Sequence, residues 1–325
     1  MQQLRNILAI AAAGVFLAAC GSNSDDIFTE AEIEEMRSDV EEAVKIAKST
    51  RGDGKPAMWT LSDEDTAIHI FGTVHILPPG LDWRSDRFNA AFAASDTLVM
   101  ETVDGDEKEE EALSQKFLQS AVYTDGATLA DKLSENDYER VSDAAENIGI
   151  PMVSMKQMKP WYAAVNIELA LVSEQGYIEE EGVEVVLEKE ALAAGKKLAA
   201  LETAEFQLSL FDRMSESAQL EYLVSSSALI DMSREVFEVD LQEWLDGDVA
   251  GQSAFMSEDM MGDSEGADEF TELLIRSRNE AWIPQIEAML DEPGTIMIAV
   301  GAGHLAGPDS VILMLREKGY TVEGP

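Results

Sequence analysis

Four apolar runs of this chain each finish on a residue that can ligate a divalent metal or move a proton. "TAIHIFGTVH" ends at His75, "DTLVME" at Glu101, "KLAALE" at Glu202 and "TIMIAVGAGH" at His304. Gly72 and Gly301 each stand three residues before a histidine. A glycine at a strand end lets the backbone turn sharply or approach another chain closely. The repeated Gly-x-x-His therefore aims two imidazoles back over whatever sheet these runs build. The chain has 3 histidines; the one outside the motif, His69, alternates with Ile68 and Ile70 and reads as packing or surface. Two histidines with one or two glutamates make a donor set for zinc, cobalt or manganese. A metal with an open position would acidify a bound water for hydrolysis, and a carboxylate left over could act as general base. Arg278, with Asn279 beside it, could hold a substrate carboxylate or an oxyanion through its planar fork. Arg276 reads more simply as a surface partner of glutamates.

Other chemistries lack their residues. There is no His-Glu-x-x-His helix, no Gly-x-Ser-x-Gly elbow and no phosphate-binding Gly-Lys-Ser/Thr loop. Cys20 is the single cysteine, which excludes an intramolecular disulfide and a cysteine metal site. At 46% hydrophobic and 27% charged residues the chain is core-forming and globular. Its 64 acidic against 23 basic side chains give a formal net charge of -41, which repels phosphate backbones. Nucleic acid is not an expected partner.

If the four runs are parallel neighbours in one sheet, their carboxyl ends bring the four groups to one rim, where open α/β sheets bind ligands. The surrounding pattern supplies such a sheet. Residues 28 to 49 have helical apolar spacing and an acidic start. Residues 58 to 74 read as a hairpin, with strands Met58 to Leu61 and Ala67 to Val74 around a turn at Ser62-Asp63-Glu64-Asp65. "LDWRSDRFNAAFAAS" is a helix before the strand "DTLVMETV", and "DGDEKEEEA" is a charged loop or helix start. Helix dominates from 111 to 175, with Pro160 opening one segment. "EGVEVVLEKEALAAG" is a helix closed by Gly195. Two long helices are expected over 203 to 246, then a weakly ordered loop or frayed helix at "GQSAFMSEDMMGDSEGAD". "EFTELLIRSRNEAWIPQIEAML" is a helix that Pro284 should kink, unless a tight helix start lies nearby. After the strand "IMIAV" come the helix "DSVILMLREKG" and a last edge strand, "YTVEG". The pattern predicts a layered α/β/α fold with a central mixed, largely parallel sheet and a helix-rich middle insertion.

The amino terminus stands apart. "MQQLRNILAIAAAGVFLAAC" has a basic start at Arg5 and an apolar run, Ile7 to Ala19, too short to span a bilayer comfortably. It ends in Leu17-Ala18-Ala19-Cys20, a lipobox-like signal for cleavage before a cysteine that carries lipid. The expected organisation is a signal peptide over 1–19, a lipidated Cys20 with a tether to 27, and one domain over 28–325. Gly21 after the cysteine, and not aspartate, is the pattern that in enteric bacteria favours an outer-membrane anchor, and the expected placement is there, facing the periplasm.

Over roughly 55 to 325 the chain resembles the TraB/GumN family, which is similar to the TIKI metalloproteases. The resemblance rests on "FGTVHILP", "LVMETVD", "MKPWYAA", "GVEVVLEKEALAAGKKLAALETAEFQL", "SRNEAWIPQIEAML" and "IMIAVGAGHLAGPDSVILMLREKGYTVE". It implies a fold like the ChaN and erythromycin-esterase proteins. By it His75, Glu101 and His304 hold the metal, with Glu101, Glu202 and Arg278 as catalytic or pocket residues. Glu184, where the family more often has aspartate, departs from the pattern; its role is left open, with a structural one expected. The expectation is a lipid-anchored, metal-dependent, peptidase-like hydrolase acting on a peptide or small envelope substrate. The alternative is a binding protein that sequesters a peptide or haem in the same pocket without turnover.

Overall fold

Asp63 makes the first hairpin. Its Oδ1 accepts from the backbone N–H groups of Asp65 and Thr66, an Asx turn that reverses the chain after one strand and starts the next. These strands are β1 (Met58–Ser62) and β2 (Thr66–Thr73); β3 (Thr97–Met100), β4 (Lys197–Ala200), β5 (Gly294–Gly301) and β6 (Val322–Glu323) complete one sheet. The computed structural model describes residues 26–103, 105, 107–262 and 264–325, so the signal segment, Cys20 and most of the tether lie outside the described residues.

The strand order is β4-β3-β5-β2-β1-β6. β4, β3, β5 and β2 are mutually parallel, while β1 pairs antiparallel with β2 and with the edge strand β6. The four runs expected to carry chemistry are thus the four parallel strands, side by side. Register places Thr73 opposite Gly301, so the two Gly-x-x-His segments leave adjacent strands at the same level.

Helices cover both faces, as parallel strands require. On one face α8 (Ser277–Met289) and α9 (Val311–Glu317) bury Trp282, Ile283, Ile286, Val311, Ile312 and Leu315 against β1, β2 and β5. On the other, α2 (Asp86–Ala94) and α4 (Val183–Ala193) bring Phe88, Phe92, Val183 and Leu187 onto Phe71 and Met297. A separate helical core is built from α1 (Glu30–Ala47), α3 (Pro160–Glu174), α5 (Ala204–Arg213), α6 (Glu216–Ala228) and their neighbours. Thr29 caps α1 reciprocally with Glu32, and Ile33, Met36, Val40 and Val44 form its buried stripe. α7 (Ile230–Asp246) joins the layers: the Trp244 indole N–H donates to the Gly72 carbonyl at 2.9 Å.

Four places change or sharpen the sequence pattern. Residues 203 to 246 form three helices, because Ser215 caps a new one and Leu229 leaves helical geometry before α7. Of the two readings of the stretch after α7, loop or frayed helix, the helical one holds: short helices run over Val249–Ala254, Glu258–Met261 and Glu265–Thr271, the first and last capped by Asp248 and Ser264. The charged run, read as a loop or a helix start, is the start of a full helix, Glu107–Ser120. Pro284 does not end α8: the proline and Glu280, whose carbonyl loses a backbone donor, both face solvent. The irregularity falls earlier, as a π turn at Glu272–Arg276 directly before Arg278.

Candidate active site

The carboxyl ends of the parallel strands carry the expected residues to one place. Glu101 follows β3 directly, Glu202 lies two residues beyond β4, His75 two beyond β2, and His304 ends the single 3₁₀ turn after β5. Gly301 is the centre of the arrangement. A methyl group added there would stand 3.2 Å from both Glu101 Oε1 and His75 Nε2 and 3.6 Å from the His304 ring. The Gly301 N–H donates to Glu101 Oε1 at 2.8 Å. The glycine therefore clears the floor of the site and supplies a donor to it. Gly182 does similar work behind His75, since a side chain there would collide with the His75 carbonyl at 2.0 Å.

Arg278 organises the inner wall. Only 2% of its side chain is exposed, and all five guanidinium hydrogens have acceptors. Nε and Nη2 reach the Glu202 carboxylate at 3.0–3.1 Å, Nη2 also donates to Glu101 Oε2 at 2.6 Å, and Nη1 donates to the Leu274 carbonyl and to His304 Nε2, both at 3.0 Å. Glu202 further accepts from the Trp282 indole and the Gln207 amide, and Gln207 donates to Glu101 as well. Glu202 does not line the cleft; it anchors Arg278 from behind. Arg276 stays near the surface with Glu272 and Asp309.

This network sets the charge states. Burial pushes the Glu101 carboxyl upward, but the Arg278 guanidinium, together with the two imidazoles and the Gly301 N–H, outweighs it and holds the group well below the usual carboxylate range. Burial, reinforced by Arg278, lowers the His304 imidazole to about 3. His304 is therefore neutral. Because Arg278 can only donate, Nε2 is the acceptor and the Nδ1 proton goes to Asn279 Oδ1 at 2.6 Å. Burial also works against charge on His75, yet the Glu184 carboxylate, and Glu101 behind it, raise its pKa above the ordinary value. Glu184 Oε1 stands 2.7 Å from His75 Nδ1 and accepts from Thr73. That fixes the Nδ1 proton and turns Nε2 toward Gly301 and Glu101.

A cleft opens beside this cluster. Its polar floor is Thr73, His75, Glu101, Arg278, Gly301 and His304, and its opposite wall is apolar, from α3, α7 and the short helices that follow. The chain matches the TraB/PrgY/gumN family over residues 57–324. It belongs to that family. Among the relatives of this member is an uncharacterized protein of Treponema pallidum (strain Nichols), 20% identical over 272 residues and 80% of each chain. The uncharacterized protein YbaP of Escherichia coli (strain K12) is 22% identical over 188 residues, 58% of this chain and 68% of YbaP. No solved structure matches.

The divalent ion expected of a TraB/PrgY/gumN member can be tested against these residues. Among the described residues no three histidine, aspartate or glutamate side chains stand in a ready-made cage. Two of the three expected ligands do fit an ion: His75 Nε2 and Glu101 Oε1 face the open space over Gly301, and Glu184 holds His75 in the tautomer a ligand needs. His304 lies 3.7 Å from Glu101 Oε1, but its Nε2 lone pair is engaged by Arg278. It could ligate only if that hydrogen bond opened.

The sequence pattern offered Glu184 no more than a structural role and offered Gln207 none. Glu184 was visible only as an acidic residue after a Gly-Val pair. Gln207 sits one helical turn beyond Glu202, and the Thr203 cap that starts α5 turns it back toward the carboxylates.

Proposed function

We propose that this cleft hydrolyses an amide or ester bond in a peptide or small envelope substrate, with zinc, cobalt or manganese held by His75 and Glu101. The observation that carries the reading is the His75–Glu184 pair with Nε2 turned to Glu101 across an open glycine at the ends of parallel strands. When bound, the ion would supply a Lewis acid that polarises the scissile carbonyl or acidifies water. The protein's own groups prepare that chemistry. Arg278 keeps Glu101 ionised and aimed, and its committed hydrogens make it a fixed positive field, not a mobile substrate clamp. Glu184 holds the Nδ1 proton of His75, which leaves Nε2 free for the ion or, without one, for proton transfer. Glu202 and Gln207 keep Arg278 and Glu101 in register.

Elemental analysis of protein purified without chelators, followed by peptide-library cleavage with each metal, tests the reading. The parent should retain or bind one divalent ion, and His75→Ala should lose it together with cleavage. If the parent cuts no peptide or ester with any metal and binds ions no better than His75→Ala, the hydrolase reading falls. Capture of a peptide or haem without turnover is then the remaining function for the cleft.

We further propose that the protein works at the bacterial cell envelope, anchored through lipid on Cys20 in the outer membrane and facing the periplasm. The Leu-Ala-Ala-Cys ending of the apolar run supports this, and no helix among the described residues is long and apolar enough to cross a membrane. Mass spectrometry should find a mature amino terminus at Cys20 carrying more than one acyl chain, since one alone binds membranes only marginally. An unmodified Cys20 would refute the anchor.

A further inference from the structure

Catalytic groups account for the polar floor of the cleft and leave its far wall unexplained. That wall is apolar, with Val236, Phe237, Leu241, Phe255 and Met256 along it, and one carboxylate, Asp240, is set among them. Asp240 occupies the same helical stripe as Val236, Phe237, Leu241 and Trp244, and of the acidic residues of α7 it is the one that lines the cleft. The residue is half-buried and opens to the cleft. Its side-chain partner is the Gln252 amide, which also lines the cleft. Among the described residues no lysine, arginine or histidine pairs with it.

A carboxylate in such a wall costs stability unless a cation answers it. Burial pushes its pKa up to about 6, with the Gln252 hydrogen bond drawing it partly back. At neutral pH the group is therefore mostly ionised but poorly hydrated. A ligand that brought a positive charge would replace the missing hydration, and a hydrocarbon stem would cover the neighbouring methionine, phenylalanine and valine surface.

We infer that Asp240 is the specificity-determining residue of the cleft and that it receives a primary ammonium carried on an apolar stem. The substrate or ligand is a peptide that presents either a lysine side chain or a free amino terminus next to an apolar residue. The inference rests on the cleft being the substrate site, and it holds whether the bound peptide is cut or merely held. The floor then meets the backbone of the peptide while the wall selects its charge.

Peptides with a carboxy-terminal fluorophore and one variable position (lysine, norleucine or glutamate) provide the test, each made with a free and with an acetylated amino terminus. Anisotropy titrations at neutral pH and about 0.15 M salt, where long-range attraction to the acidic surface is largely screened, compare the parent with Asp240→Asn. The parent should bind an ammonium-bearing peptide roughly tenfold or more tightly than its neutral counterpart. Asp240→Asn should erase that advantage and leave the affinity for acetylated norleucine peptide unchanged. An advantage that survives acetylation assigns the lysine side chain, and one that acetylation abolishes assigns the amino terminus. The inference is overturned if no peptide binds, if neither ammonium gives an advantage, or if the advantage persists in Asp240→Asn. Because binding is read without turnover, charge preference without cleavage removes the hydrolase reading alone. Cleavage without charge preference removes this one alone.

Discussion

Arg278→Met should destabilise the protein by about 3–5 kcal/mol, the cost of leaving buried charges without their partner. Methionine has similar length but no donor, so Glu101 and Glu202, with 13% and 5% of their side chains exposed, would face each other without a cation. His304 Nε2 and the Leu274 carbonyl would lose their donor too. Arg278→Lys should recover only part of the loss, because three donors on a flexible stem cannot replace a five-donor fork. The effect has a definite pH dependence. Glu101 has a folded-state pKa below its ordinary 4.5, so its contribution is complete above that pH and is lost as pH falls through the folded value. The gap between parent and Arg278→Met should thus be widest near neutrality and shrink below about pH 4.5. Urea unfolding at several pH values measures both. A variant with the parent's midpoint at neutral pH would contradict the account of the inner wall.

Glu101→Gln should lower turnover by roughly 10²–10⁴-fold while leaving most of the fold intact. The amide still accepts from the Gly301 N–H, and Glu202 still pairs with Arg278. Some stability is lost because the glutamine N–H₂ can accept from neither Arg278 nor Gln207, on the order of 1–3 kcal/mol for the unsatisfied groups. Metal content then separates the two roles of the carboxylate. A fall in metal affinity identifies Glu101 as a ligand, whereas a retained ion with slow turnover identifies a proton-transfer role. The clamped, strongly acidic state of Glu101 favours the first, since a general base works best with a pKa near the working pH. Parent-like turnover in Glu101→Gln would remove this carboxylate from the chemistry.

The sheet and most of the floor were legible because they depend on local signals. Apolar runs of strand length, each closed by a histidine or glutamate, gave β2 to β5 and the convergence of His75, Glu101, Glu202 and His304. Side-chain commitments were not legible. The sequence offers Arg278 as a substrate clamp, but only the three-dimensional arrangement reveals that every one of its hydrogens is already taken. The same holds for His304, which looks like an open strand-end ligand and is instead buried against Trp282, with ring centroids 4.4 Å apart. Of the two helix breaks at Ser215 and Leu229 the sequence pattern shows only one, because the apolar spacing continues through them, and caps decide such boundaries more sharply than periodicity does. Asp240 was overlooked for the opposite reason: a single acidic residue in a long acidic helix carries no signal until its face is known.

The inner wall also has a bearing on how long the folded molecule lasts. Arg278 meets Glu202 across 76 positions of chain and Glu101 across 177. Contacts of such long range close only after the intervening strands and helices have found one another, because the loop entropy must be lost first. Interactions that form after the transition state slow unfolding and leave the folding rate almost untouched. The clamp would therefore act as a latch on the native state: Arg278→Met should refold at nearly the parent's rate and come apart much faster. Residence time in the native state, which sets how long a molecule stays useful, would then rest on this latch more than on the folding rate.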